Sequence, residues 1–213
     1  MIKERLGQLG RSVMRHLMGL AWPLDRQRPL DSTYSILLGV PWALHDLTDV
    51  NLKAISQCRL DRLRDIHVVF DRPQKPGMRE FADRLGARWP QLPIRVHWHP
   101  PLIGRLVEKV GVSTFFNGAN ILTALRANRS KCLILHDFDL YPLKADFFEA
   151  IAANILDKHL DFSGFEFTEF NALTAEDRVI GTWGLAINVE RLCANHRAHE
   201  VLHRRMDLPD GRQ

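Results

Sequence analysis

Short apolar runs alternate with stretches of helical periodicity along most of the chain. Four runs, at 34–41, 65–70, 94–99 and 132–136, are rich in β-branched and aliphatic residues and end at Pro, Asp or His. Helical spacing fills the intervals, at about 47–63, 78–85, 117–127 and 145–156, and in the first of these Val50, Ile55 and Leu63 suit an inner face. This alternation predicts an α/β domain whose mostly parallel sheet is covered by helices on both faces.

Polar residues stand where the predicted strands end. They are Asp71, His99, Asp137 and Asp139, with Pro41 ending the first strand. Ligands of open α/β sheets bind beyond the carboxyl ends of the strands, so we expect one crevice to collect these residues.

The composition is that of an ordinary globular chain. Of 213 residues, 46% are hydrophobic and 25% are charged, which excludes a disordered or collagen-like protein. The 3 Cys residues lie far apart with no Cys-x-x-Cys pair. This indicates reduced thiols in a cytoplasmic compartment and disfavours a cysteine zinc site.

The net charge of +4 resides in residues 1–30, because the charges of residues 31–213 cancel. The chain therefore divides into a basic arm, 1–30, and a neutral domain, 31–213, which disfavours nucleic-acid binding. Within residues 3–20 of the arm, an apolar stripe recurs at helical spacing: Leu6, Leu9, Val13, Leu17 and Leu20. Such a helix suits either peripheral contact with an anionic membrane face or packing on its own domain. We expect no signal peptide and no membrane-spanning segment.

Asp137 and Asp139 lie two residues apart where the most hydrophobic strand ends. If the segment is extended, both carboxylates point to the same side and repel each other. A hard divalent cation such as Mg²⁺ or Mn²⁺ relieves that repulsion and keeps coordination positions for phosphate oxygens. An Asp-x-Asp triplet is also compatible with a helix cap beside a solvated carboxylate.

Four segments together resemble the glycosyltransferases of GT-A fold that carry an Asp-x-Asp motif, in particular β-1,4-galactosyltransferase-like and family 2 enzymes. They are CLILHDFDLYPL at 132–143, FNGAN at 116–120, DLYP at 139–142 and VIGTWGLAINVERL at 179–192. The resemblance covers about residues 34–192. It implies a Rossmann-like three-layer α/β/α domain that binds a nucleotide-sugar donor with Mn²⁺ or Mg²⁺.

The same resemblance implies roles for single residues. Asp139 ligates the metal, and Asp137 faces the ribose or reaches the metal through water. Asp71 pairs with uracil. The other expected donor contacts are Pro41, Asn117, Gly181 and Gly184, the two glycines bordering the sugar and acceptor.

The chain also departs from the family. No Gly/Trp-rich segment with Glu-Asp follows residue 189, so the usual catalytic base is missing and the family's Arg is replaced by Gly118. Asp177 is the first candidate for the base, ahead of Glu176 and Glu200. A retaining reaction, a shortened chain and an inactive one stay open.

Histidines add a further candidate ligand. His196, His199 and His203 fall on one face if a helix runs from 190 to about 206, and His199 is the candidate to complete the metal site. A solvated basic helix explains the same spacing. His97 and His99 share a strand face, where hydrogen bonding in the core is the simpler role, and His136 adjoins the carboxylates.

The expected activity is transfer of a hexose from a UDP-sugar to a hydroxyl of a glycan or glycolipid precursor in surface polysaccharide biosynthesis. One alternative is a GT-A-like scaffold that binds nucleotide without turnover. Another is a haloacid-dehalogenase-type phosphatase with Asp137 as nucleophile and Asp139 as general acid, although the Gly-Thr that normally follows that motif is absent.

Overall fold

The structure, a computed structural model, describes residues 28–70, 77–99, 113–165 and 184–198, together with Val13, His16 and Arg105. The strands are β1 (Asp31–Val40), β2 (Leu63–Phe70), β3 (Ile94–Trp98), β4 (Ser130–Asp137), β5 (Phe162–Ser163) and β6 (Leu185–Asn188). The helices are α1 (Leu47–Ser56), α2 (Met78–Arg88), α3 (Ser113–Ala127), α4 (Phe147–Leu156) and α5 (Val189–Asn195), and a 3₁₀ turn spans Trp42–Leu44.

The strands form one six-stranded sheet in the order β3-β2-β1-β4-β6-β5. β1 is parallel to β2 and β4, and β2 is parallel to β3. β6 runs antiparallel to both β4 and β5. The prediction of a mostly parallel α/β sheet is confirmed. Among the described residues, no helix has the length and apolar character needed to cross a bilayer.

Helices cover the sheet on both sides, as predicted. Alternate residues of β1, such as Ile36 and Leu38, pack in one core with α1, α2 and α4. Leu37, from the opposite face, packs in a second core with α3 and α5. The alternation follows from the two-residue period of a strand, and it makes β1 the centre of a three-layer structure.

Two helix predictions need correction. The first helix ends at Ser56, and Leu63 opens β2 instead of facing the helix core. Val50 is 51% exposed, whereas the buried face of α1 consists of Thr48, Asn51, Leu52 and Ile55. The predicted inner face was therefore wrong at Val50, because the polar Asn51 takes the inward position.

The last helix is shorter than predicted. α5 ends at Asn195, and the backbone of His196 is extended, so one continuous helix carrying the three histidines does not form.

A buried ion pair joins the start of β2 to α4. The Arg62 Nε–H donates to Glu149 Oε2 at 3.0 Å, and the Arg62 backbone N–H donates to Oε1 at 3.0 Å. Burial alone raises the pKa of Glu149, but the donors of Arg62 outweigh it and the pKa is lowered. Glu149 is thus held ionised inside the fold.

Two buried histidines lie on the α3 side of the sheet. His67 Nδ1 is 2.9 Å from His97 Nε2, and His99 Nε2 is 2.8 Å from Asn120 Oδ1, which confirms hydrogen-bonded roles for His97 and His99. Burial lowers the pKa of His67 to about 4, with a smaller contribution from His97. Burial likewise lowers the pKa of His99 to about 4.

We expect stability to fall as the pH drops from 6.5 to 5. Both folded-state pKa values lie below the model value of 6.5, so the unfolded chain takes up more protons in this window and acid favours unfolding. At pH 5 the loss is roughly 2 kcal/mol per histidine, since one pKa unit corresponds to about 1.36 kcal/mol. Urea unfolding at pH 6.5 and 5 measures it.

The control for this measurement is His159→Gln at an exposed position. It should keep the full pH dependence, whereas His67→Asn should reduce it. An unfolding free energy that is equal at both pH values contradicts burial of neutral His67 and His99.

Candidate functional site

The carboxyl ends of β1, β2 and β4 lie side by side. Gly39 pairs with Asp137 across β1 and β4, and Val40 pairs with Phe70 across β1 and β2. Pro41 follows β1, and its carbonyl accepts the Leu44 N–H at 3.0 Å as the chain turns away from the sheet. Pro41 and Asp137 therefore belong to one edge, the edge at which α/β sheets bind ligands.

Residues 137–140, here called the acidic turn, leave the end of β4. The Leu140 N–H donates to the Asp137 carbonyl at 3.0 Å, which closes a β-turn with Asp139 at its third position. Asp137 is half-buried and Asp139 is exposed. The expectation that an extended segment aligns the carboxylates is thus corrected, since a turn carries them.

The two carboxylates lie close enough to affect each other. Burial raises the pKa of Asp137, and the negative charge of Asp139 raises it further. A cation placed between them removes the repulsion, and oxygen donors are the ligands that Mg²⁺ and Mn²⁺ prefer. Among the residues that the structure describes, no group of three or more His, Cys, Asp or Glu side chains forms a cation site. The acidic turn thus offers two carboxylates and leaves further coordination positions for other oxygens.

Asn51 of α1 reaches over the acidic turn, and sequence reasoning missed it. Its Nδ2 lies 3.0 Å from the Phe138 carbonyl, 3.1 Å from that of Leu140 and 3.4 Å from that of Asp137. The signal in the sequence was a polar residue at an inward position of an apolar helix face.

The α3 side of this edge contains a second contact that the sequence did not reveal. A Cβ at Gly39 would overlap the Asn120 side chain, so Asn120 packs directly on the backbone of β1. His99 holds Asn120 from the end of β3. Asn117 is exposed one turn earlier in α3, and Gly118 is buried. The expected donor contact Asn117 therefore lies on the helix whose Asn120 touches the site edge.

Gly184 borders the acidic turn from the other side. Its φ of 80° is a left-handed conformation that favours glycine. A Cβ at this position would lie 2.9 Å from the Phe165 ring and 3.6 Å from Leu140, and its N–H donates to the Leu135 carbonyl at 2.8 Å. The chain thus enters β6 beside the turn, as expected for a glycine near the ligand.

His136 faces away from Asp137, on the opposite side of the sheet. Its ring packs edge-on against Phe147 and Phe148, with centroid distances of 6.3 and 5.2 Å. Burial lowers the pKa of His136 to about 4. It adjoins the carboxylates only along the chain and does not share their face.

Six predicted site residues lie outside the described residues: Asp71, Glu176, Asp177, Gly181, His199 and Glu200. Of these, Asp71 directly follows Phe70, which ends β2 at the edge shared with Asp137.

Known structures with this architecture are glycosyltransferases. The mannosyltransferase PcManGT from Pyrobaculum calidifontis, solved with GDP-Man and Mn²⁺, matches 92% of this chain with a TM-score of 0.58 and 15% identity. S. aureus TarS residues 1–349 match 76% of it with a TM-score of 0.51 and 12% identity. The chain has a glycosyltransferase fold.

The likeness lies in the fold more than in the sequence. No protein-family model matches the chain, and no curated protein matches it. The chain spans about half the length of the two solved chains, 57% of PcManGT and 49% of the TarS fragment. The acidic turn lies at the carboxyl edge of this fold, next to Gly39, Asn51 and Gly184.

Proposed function

We propose that this chain is the donor-binding domain of a metal-dependent glycosyltransferase that moves a hexose from a UDP-sugar to a hydroxyl of a glycan or glycolipid precursor. The observation that carries the proposal is the pair of carboxylates on the acidic turn at the ligand-binding edge of a glycosyltransferase fold. The mannosyltransferase with the same fold was solved with a nucleotide-sugar and Mn²⁺, which supports a donor and a cation of these classes.

The donor set suits Mn²⁺ or Mg²⁺. Asp139 is exposed and free to ligate directly, and Asp137, half-buried beside it, adds charge from the end of β4. When bound, the cation supplies Lewis-acid stabilisation of the diphosphate as negative charge develops on it. Asp137 and Asp139 hold that charge balance at the strand end, and Gly184 leaves space for the sugar beside the acidic turn.

The nucleotide is proposed to lie along the edge formed by β1 and β2. Pro41 turns the chain there, and Asp71 is proposed to accept from the base. Asn117, Gly181 and Gly184 complete the proposed donor contacts.

On the acceptor side, a base must take the proton from the attacking hydroxyl if the reaction inverts. Asp177 is proposed for this role, ahead of Glu176 and Glu200, and His199 is proposed to complete the metal site. The helix of residues 3–20 is proposed to contact the membrane face at which a lipid-linked acceptor lies.

A donor screen tests the proposal without knowledge of the acceptor. The chain is incubated with a panel of UDP-sugars and with GDP-mannose, with Mn²⁺ or with chelator, and nucleoside diphosphate release is measured. We expect slow release from a UDP-sugar in Mn²⁺ and none in chelator. GDP release alone corrects the nucleotide, and nucleotide binding without release from any donor favours the inactive scaffold.

The same screen addresses the phosphatase alternative. That alternative predicts Mg²⁺-dependent hydrolysis of an aryl phosphate, with no preference for nucleotide-sugars. Hydrolysis of an aryl phosphate together with no release from any donor overturns the glycosyltransferase proposal.

A further inference from the structure

We propose that Asn51 is a positioning residue, which holds the acidic turn in the shape where Asp137 and Asp139 converge on one divalent cation. The inference rests on the proposed function, since it concerns the same cation. Asn51 belongs to a different element from the two carboxylates, and its side-chain amide contacts only backbone oxygens of the turn.

The contact has the geometry of a clamp. Three carbonyls of the acidic turn, those of Asp137, Phe138 and Leu140, converge on the single Asn51 Nδ2 at 3.0 to 3.4 Å. An NH₂ group has two hydrogens to share among them, whereas a carboxylate has none and an apolar side chain has no donor. This arrangement also settles the orientation of the amide, because the opposite orientation would place its oxygen against three carbonyl oxygens.

The clamp is anchored in the core. Asn51 is 1% exposed, and its neighbour Leu52 and the following Ile55 are fully buried in the core that contains α1 and α4. The position of the amide is therefore determined by the packing of α1 and does not follow movements of the turn.

The amide oxygen supports a role beyond stability. Asn51 Oδ1 is buried and has no hydrogen-bond partner among the described residues. A buried acceptor without a partner lowers stability, and an apolar side chain of similar volume avoids that loss. What the apolar side chain cannot do is donate to the three carbonyls of the acidic turn.

Restraint of the turn matters because its two carboxylates repel each other. Without the clamp, the turn relaxes by moving Asp139 away from Asp137, and cation binding must then bring them together again. Holding the ligands in place beforehand removes that cost from binding. Residues that orient metal ligands typically change metal affinity by about 10- to 100-fold when they are replaced.

The test is titration of the full chain with Mn²⁺ in the presence of UDP, with free Mn²⁺ followed by electron paramagnetic resonance. The variants are Asn51→Leu, which keeps the volume, and Asn51→Ala. We expect both to bind Mn²⁺ about 10- to 100-fold more weakly than the wild type. The spectrum of the bound ion should also broaden, because the ligands are less ordered.

Asn128→Ala is the matched control. Asn128 is also a fully buried asparagine, bonded to Ser130 at the opposite end of β4. Its replacement should lower the stability and leave Mn²⁺ affinity unchanged. If Asn128→Ala weakens Mn²⁺ binding as much as Asn51→Leu does, the clamp is overturned and the loss reflects general destabilisation.

Urea unfolding with and without Mn²⁺ and UDP gives a second measurement for any variant that is partly unfolded. A ligand that binds only the folded state raises stability by an amount set by its affinity, so the shift reports binding to the folded fraction. Wild-type affinity in both Asn51 variants overturns the inference and leaves the proposed function intact. Absence of Mn²⁺ binding in the wild type, with UDP or GDP, overturns the metal site and the inference together.

Discussion

Asp139→Asn is expected to abolish the gain in nucleotide affinity that Mn²⁺ confers and to lower donor turnover by at least about 100-fold, the scale seen when one transition-state electrostatic contact is lost. Asp139 is the exposed carboxylate at the third position of the acidic turn, so it is the side chain free to ligate the cation directly. The amide keeps the shape of the turn and removes only the charge. Calorimetric titration with UDP, in Mn²⁺ and in chelator, measures the effect.

Asp137→Asn should separate stability from binding at the same site. It removes the half-buried charge that is destabilised by burial and by Asp139, so the chain without cation should be slightly more stable. Cation-dependent nucleotide binding should nevertheless be lost. The matched control is Asp146→Asn, an exposed carboxylate that precedes α4 and lies outside the turn. A control that loses the Mn²⁺ effect as well contradicts the assignment of the cation to the acidic turn.

Arg62→Ala is expected to lower the free energy of unfolding by about 3 kcal/mol at pH 7. It leaves the carboxylate of Glu149, whose side chain is 6% exposed, without its guanidinium partner, and one partner removed from a buried pair typically costs 3–5 kcal/mol. Arg62 also donates to Asp157 Oδ1 at 2.9 Å, so the start of β2 is released from α4 at both contacts. Urea unfolding of the wild type and the variant gives the difference.

The loss should shrink as the pH falls. In the wild type the lowered pKa of Glu149 makes the ionised form the stable one, so its contribution is present above the ordinary pKa and disappears in acid. In the variant burial acts alone and raises that pKa, so protonation relieves the strain as the pH drops. Arg59→Ala is the control, since the Arg59–Asp61 pair has side chains 60% and 67% exposed and should change stability by less than about 1 kcal/mol. Equal effects of the two substitutions at pH 7 contradict the buried-pair assignment.

Much of the sheet could be predicted because its signal is local. The four parallel strands are continuous apolar runs, buried on both faces, and the structure places each of them within a few residues of its predicted bounds. Prediction of α1 was poorer. Its length and inner face were misjudged, since an inward asparagine weakens the apolar pattern on which helix periodicity depends.

For the candidate site, prediction reached the residues that carry charge. Asp137 and Asp139 stand at a strand end in the sequence, and the paired register of Gly39 with Asp137 places them at the ligand edge. Asn51 and Asn120 could not be assigned in this way. Their partners lie 86 and 81 residues away, at Asp137 and Gly39, and no local spacing encodes such contacts.

The sequence by itself determined the α/β class, the acidic pair at a strand end and the glycine that borders it, because strand burial, charge and backbone freedom are properties of short segments. Only the tertiary structure decided that the acidic pair lies on a turn and that Asn51 holds that turn. It also decided that His136 faces the aromatic core of α4, away from the carboxylates. These features depend on which elements meet across the sheet, and that is settled by the packing of the whole domain.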